Sequence, residues 1–335
     1  MASSDTVIIY RYNASPYSHK VDNVLALKGI PHEQVLIASA LPRPEITNQL
    51  GIAYRRIPIL AVGNDVYCDT GLIVNTLERR FPEAKGYGTI FPPRKQGGAI
   101  DTTLINTFSK FYAENALFPL VPTLLPWDRM PDAFLKDRSA FAGAKMNPKA
   151  IAARIPRVQS SLLSHIAIIE TQLSDSREWL FDTEGPSLAD ISLHFILAWA
   201  NSLPGGKFIC DEKTYPKASS WLNRMSNLIK AKQSQLGKPS KLSGSDAANK
   251  IISSTHEGYE RVGFDDDEAQ RWKVKRGDII AVAPEDTGRD WPTIGKLVAL
   301  GSEELILEVQ GSEGLSRVHF PRIGYTLKPA VGSKL

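Results

Sequence analysis

The chain has 335 residues, 42% of them hydrophobic, enough to bury a full core in roughly two or three domains. Forty basic residues against 36 acidic ones leave a formal charge of +4, too slight to argue for a nucleic-acid partner. The two cysteines, Cys68 and Cys210, lie far apart without C-x-x-C spacing, which excludes a disulfide scaffold and a structural zinc site of the usual kind and fits a reduced compartment.

Val7-Ile8-Ile9 is a β-branched run of strand type. After Tyr10 to Ala14, Ser15-Pro16 reads as a helix start, because a serine oxygen accepts a first-turn N–H and proline needs none. Val21, Val24 and Leu25 mark the inner face, and Lys28-Gly29-Ile30-Pro31 ends the helix. The Ser15 hydroxyl thereby lies among unpaired amides at a positive helix end, a place that favours an anion such as a thiolate. Its plainer reading is a helix cap and nothing more.

Residues 32–37 read as a second strand, 57–62 and 66–68 as a hairpin around Gly63-Asn64-Asp65, and 70–80 as a helix ended by Phe81-Pro82. The order β-α-β-α-β-β-α gives a mixed sheet of thioredoxin type. Gly86 to Gly98 is a Gly/Pro-rich linker. From Ala99 the pattern turns helical, with Leu104, Ile105, Phe108, Phe111, Tyr112 and Asn115 at helical spacing. A proline-dense connection follows, then an amphipathic helix from Pro156 to Leu173. Ser187-Leu188-Ala189-Asp190 is a short capping box opening the apolar helix 191–203, in which Asp190 has a structural role. That apolar run is too short to span a bilayer, and the N-terminus lacks a signal segment, so no membrane association is expected. Trp221 to Ile229 forms a last helix, and Lys230 to Ser245 reads as a second linker.

Beyond it, Val274 and residues 279–282, 294–300, 305–309, 315–320 and 325–327 are short strands between Gly, Pro and Asp turns: a small all-β barrel or open sheet. Its basic residues are mixed with Asp265-Asp266-Asp267, Glu285-Asp286 and Glu303-Glu304, and no nucleic-acid motif shows. It packs on the helical part or holds a partner, with a catalytic role as the lesser alternative. The chain ends Ser333-Lys334-Leu335, a peroxisomal address; the peroxisome is the expected compartment and the cytoplasm the alternative.

Ser15-Pro16 after the first strand, Arg56-Ile57-Pro58-Ile59-Leu60, the acid–hydroxyl pair Asp69-Thr70 before a helix, and the capping box at Ser187 occur in this order. In this the sequence resembles the glutathione transferase superfamily over its first two-thirds. The resemblance implies a thioredoxin-like glutathione-binding domain (1–85), an all-helical acceptor domain (99–236) and a departure from the family pattern in the β-rich segment (250–330). It implies glutathione as co-substrate or cofactor, with no metal, and a homodimer. Thr70 meets the γ-glutamyl carboxylate, Asp69 the γ-glutamyl ammonium, and Ile57, next to a cis Pro58, offers backbone groups to the cysteinyl unit. Arg56 or Lys20 meets the glycine carboxylate, or each is a solvated surface cation.

Ser15 is the expected catalytic residue, donating to the sulfur so that more thiolate is present. Ser18, Tyr17 and Asn13 compete for that role, and His19 reads as a surface residue. A serine rather than a cysteine here resembles the zeta, tau and theta kinds, whose chemistry is thiolate addition. Tyr12, Asn13, Tyr17, Phe108, Phe111, Tyr112 and Asn115 either line an apolar acceptor pocket between the domains or are core. The acceptor is a small hydrophobic electrophile or polyene, as in fungal natural-product pathways by analogy. Three readings stand: conjugation; cis–trans isomerisation by reversible thiolate addition; and a non-catalytic scaffold, against which Ser15, Ile57-Pro58 and Asp69-Thr70 together argue.

Overall fold

A computed structural model describes residues 6–330. Strand β1 (Val7–Arg11) leads through Ser15 into α1 (Pro16–Lys28), then β2 (Glu33–Leu36), the short α2 (Pro44–Thr47), the hairpin β3 (Ile59–Val62) and β4 (Asp65–Cys68), and α3 (Thr70–Arg80). β1 pairs parallel with β2 and antiparallel with β3, as a thioredoxin-like domain requires. It is buried on both faces, so its side chains divide by strict alternation. Val7 and Ile9 join the core beneath α1, α3 and the helical domain, whereas Ile8 and Tyr10 join a second core on the opposite face.

The helical domain holds α4 (Thr102–Thr107), continued directly by a π-helix (Phe108–Leu117), then α5 (Asp132–Ala142), α6 (Pro148–Ala152), α7 (Ile155–Gln172), α8 (Leu188–Ser202) and α9 (Pro216–Leu236). The expected capping box opens α8: the Ser187 N–H and hydroxyl both donate to Asp190 Oδ2, at 2.9 and 2.8 Å. The other oxygen accepts the Leu180 N–H and the Trp221 indole, so this buried acid ties α8 to α9 and to the preceding loop. Burial pushes the Asp190 carboxyl up in spite of these donors. The helix expected to end near Ile229 runs on to Leu236 through exposed polar residues, which shortens the second linker.

The C-terminal strands lie close to where the alternation places them: β6 (Ile279–Pro284), β7 (Thr293–Leu300), β8 (Glu304–Gln310), β9 (Leu315–Pro321) and β10 (Tyr325–Pro329). They do not close on themselves. β9 pairs parallel with β4, joining Asp65 to Arg317, Val66 to Val318 and Tyr67 to His319, and one ten-stranded sheet results. On the far edge β5 (Ser240–Lys241) adds to β2, so the C-terminal third covers both edges of the first-domain sheet. The edges of the combined sheet are now β10 and the two-residue β5.

The helices α10 (Gly244–Ser253) and α11 (Asp266–Trp272) complete the second core, which Ile8, Tyr10 and Val66 share with Leu297, Leu307 and Phe320. Gly51 shows how close the approach is: at φ +71 a Cβ there would stand 2.4 Å from the Gln310 carbonyl oxygen. The segment therefore packs chiefly on the first domain rather than the helical one, although α5 does reach the 286–291 loop, where the Gly288 N–H donates to the Phe141 carbonyl. Val274 is not in a strand; its N–H bonds to the Ala269 carbonyl at the end of α11. Among the described residues no helix is long and apolar enough to cross a membrane. Ser333-Lys334-Leu335 lies outside the described residues.

Candidate functional site

Ser15 has extended backbone (φ −82°, ψ 114°), and its Oγ accepts the Ser18 N–H at 3.1 Å. Pro16 takes the first helical position, and Gly29 at φ 69° closes α1 thirteen residues on. The Ser15 oxygen is thus used as an acceptor, which leaves its own proton for donation. Ser15 is 2% exposed. Of the competitors, Asn13 is exposed and its carbonyl accepts from His19 Nε2, while Ser18 is wholly buried with its hydroxyl unpartnered.

The Ile57-Pro58 bond is cis, immediately before β3. Arg56 is not a free surface cation: its guanidinium donates to the Thr287 carbonyl, at 2.8 and 3.1 Å, and pairs with the Asp286 carboxylate. Lys20 is also not solvated. It is 1% exposed, paired with Glu114, and 3.4 Å from Thr70 Oγ1. The sequence alone offers a glycine-carboxylate partner or a solvated surface for Lys20, because its actual partner stands 94 residues away on the helical domain.

Asp69 caps α3 with φ 77° and ψ 130°, a conformation that costs about 1–3 kcal/mol and persists only where contacts over-determine it. Those contacts come from three parts of the chain. The Gly71 N–H donates to Oδ1 at 2.8 Å, the Lys110 ammonium reaches both oxygens at 3.3 and 3.4 Å, and the Tyr325 hydroxyl donates to Oδ2 at 3.2 Å. Burial alone would raise the Asp69 carboxyl, but Lys110, the Gly71 amide, Lys20 and Arg56 outweigh it and hold the group below its ordinary value. Tyr54 in turn lies 3.1 Å from Tyr325, and burial keeps both phenols protonated.

The aromatic candidates separate. Tyr12 follows Ile8 and Tyr10 to the opposite face of the sheet, where the Arg43 guanidinium covers its ring at 5.8 Å. Tyr17 packs on Phe118 and Phe195, with ring centroids at 4.5 and 5.3 Å. Phe108 stacks near Tyr112 and Phe181, and the Tyr112 hydroxyl meets His165 Nδ1 at 3.0 Å. Phe111 and Asn115 are exposed. The buried stripe is instead Ile105, Ser109, Ala113 and Leu117, at a steady spacing of four. That spacing is wider than the 3.6 of an α-helix and follows from the π-helical turns. It turns Lys110 and Glu114 toward the first domain, where they pair with Asp69 and Lys20; neither residue stands out in the sequence. A cleft of about 180 Å³ in the helical domain, lined by Leu124, Trp127, Ile155 and Pro204 among others, includes none of the candidate residues. Cys68 is buried next to Asp69, and burial pushes its thiol up, so it is no thiolate. Among the described residues no cluster of His, Cys, Asp and Glu has the makings of a metal site.

Residues 9–85 match the family model of the glutathione S-transferase N-terminal domain, and residues 116–234 match a domain family of unknown function, DUF7962. The second match falls on the helices and not on the added strands. Among solved structures, a GST-like protein from Pseudomonas syringae is 26% identical, with 98% of this chain and 100% of that one covered and a TM-score of 0.69. A rice GST in complex with glutathione is 15% identical over 74% of this chain and 96% of its own, TM-score 0.48. A glutathione transferase from Phanerochaete chrysosporium with oxidized glutathione is 19% identical over 70% and 97%, TM-score 0.49. No curated protein matches.

The first domain is therefore of the glutathione S-transferase N-terminal type on a thioredoxin-like fold. The chain as a whole, C-terminal strands included, shares its fold with the Pseudomonas protein.

Proposed function

We propose that this chain binds glutathione against Ile57-Pro58 and the starts of α1 and α3, and that Ser15 activates its thiol for attack on a small electrophile. The observation that carries the reading is the use of the Ser15 oxygen as an acceptor for the Ser18 N–H, which leaves the hydroxyl proton for a sulfur anion. A free cysteine thiol has a pKa of about 8.5, so only a few per cent is thiolate at neutral pH. A placed donor at a helix start stabilises the anion selectively and increases that fraction. The thiol proton leaves to water, and the sulfur lone pair forms the new S–C bond as the acceptor's π bond opens, its electron pair taking a proton from water, or as the bond to a leaving group breaks and that group departs with the pair.

Thr70, Ile57 and Pro58 hold the tripeptide in this reading, and Tyr17, Phe108 and Tyr112 form the apolar side from which an acceptor approaches. The family match over residues 9–85 supports glutathione as the thiol. Calorimetric titration of the full chain with glutathione tests it, followed by mass analysis of products from electrophile panels. A product heavier by the tripeptide supports conjugation, an unchanged mass with new geometry supports isomerisation, and absence of binding favours the scaffold reading.

A further inference from the structure

An ionised carboxylate has about four lone-pair positions. At Asp69 all are addressed from within the chain: Gly71 N–H and Lys110 on Oδ1, Lys110 and the Tyr325 hydroxyl on Oδ2. Asp69 is 8% exposed on its side chain, whereas Lys110 remains 31% exposed. Of the three ammonium protons of Lys110, two suffice for the carboxylate, which leaves one donor on a partly exposed side chain that also feels the Glu114 charge. Lys20 and Arg56, the neighbouring cations, are committed to Glu114 and to Asp286 with Thr287. What this corner presents to a ligand is therefore a cation with donor capacity in front of an acid that has no acceptor position left.

We infer that the subsite beside Asp69 and Thr70 reads a carboxylate through Lys110 and does not read an ammonium, so that the chain accepts thiol peptides whose far end is an acid with or without an α-amino group. The inference rests on the glutathione reading above and deepens it. A ligand ammonium reaching Asp69 would have to displace Lys110, exchanging one cation for another with no gain in charge pairing. A ligand carboxylate meets Lys110 without displacing anything, in a charge-assisted contact stronger than a neutral hydrogen bond. Tyr325 has a positioning role: it occupies the Oδ2 position that an incoming ammonium would need. The substrate class widens accordingly, from glutathione alone to N-acyl cysteinyl peptides with a terminal carboxylate on the acyl group.

The test compares three thiols on the full-length protein by calorimetry: glutathione, its des-amino analogue glutaryl-Cys-Gly, and its decarboxylated analogue γ-aminobutyryl-Cys-Gly. The expected result is that the des-amino analogue binds within about threefold of glutathione, while the decarboxylated one binds at least about tenfold more weakly. In Lys110→Met the order changes: glutathione loses affinity overall, and the ammonium acquires about tenfold value because Asp69 is now open to it. A wild-type loss of about tenfold or more on removing the amino group overturns the inference and leaves the glutathione reading standing. Failure of all three thiols to bind overturns the glutathione reading, and this inference with it.

Discussion

The Tyr325 hydroxyl donates to the Asp69 carboxylate at 3.2 Å, joining residues 256 positions apart. Because that proton points to Asp69, the 3.1 Å contact between Tyr54 and Tyr325 has Tyr54 as donor. The C-terminal strands thereby reach the corner of the first domain where the candidate site lies, and the two regions share one sheet and one core.

The direction of this relay makes the two tyrosines unequal. Tyr325→Phe takes a donor from Asp69 and also the acceptor from Tyr54, and should cost about 1–3 kcal/mol. Tyr54→Phe removes only the outer donor and should cost about 1 kcal/mol. Urea denaturation of both variants checks this, and equal losses would contradict the assigned direction.

Removal of residues after Leu236 should abolish a folded first domain. The truncation bares the edges of β2 and β4 and uncovers Ile8, Tyr10 and Val66, each 0% exposed in the full chain. An uncovered edge and apolar face together favour association over folding. Size-exclusion chromatography and near-ultraviolet circular dichroism of the truncated chain should show aggregation or loss of fixed packing; a monodisperse, cooperatively unfolding product would refute the shared core.

Lys20 and Glu114 bind the two domains across a buried interface, with side chains 1% and 5% exposed. Lys20→Met leaves a buried carboxylate unpaired and should destabilise by about 3–5 kcal/mol. The double variant Lys20→Met with Glu114→Leu should recover most of that, because both desolvation costs vanish together. Additive losses in the cycle would mean that the two side chains do not act as a pair.

His194 supplies a pH dependence of known sign. Its Nε2 lies 2.9 Å from Ser226 Oγ, which itself donates to the Leu222 carbonyl, so the imidazole carries its proton on Nε2. Its Nδ1 is buried without a partner, and burial lowers the group to about 4 from the usual 6.5. The unfolded chain therefore takes up the proton first as pH falls. Stability is unaffected above about pH 6.5 and is lost between there and about pH 4, by roughly 3 kcal/mol in total. Urea midpoints at about pH 7 and about pH 4.5 should differ less in His194→Gln than in the wild type. Equal differences would show that His194 is protonated in the folded protein.

Much of this was legible in the sequence where the signal is local. The cap at Ser15, the Gly29 terminator and the Ser187–Asp190 box each need only a few consecutive residues and the geometry of a helix end. The C-terminal strands were placed by alternation, which is likewise local. Their pairing was not: β4 is buried on both faces whatever its neighbour, so nothing in Asp65–Cys68 announces that β9 lies beside it. The faces of the helix after Ala99 were misjudged for a related reason. Phe111 and Asn115 fit a 3.6 period with Phe108 and Tyr112, but the π-helical stretch buries the small Ser109 and Ala113 instead. Lys20 reads as solvated in the sequence because its partner Glu114 meets it only in the folded chain, and Lys110 and Glu114 carry no local signal for the same reason.

The central claim is that Ser15 stabilises a sulfur anion at the start of α1. The most direct measurement is a pH titration of the thiolate ultraviolet absorbance of glutathione bound to the wild type and to Ser15→Ala. The bound thiol should titrate below the free value of about 8.5 in the wild type and about one unit or more higher in the variant, with turnover reduced about ten- to a thousandfold. Superimposable titration curves for the two proteins would contradict the claim and place the sulfur elsewhere.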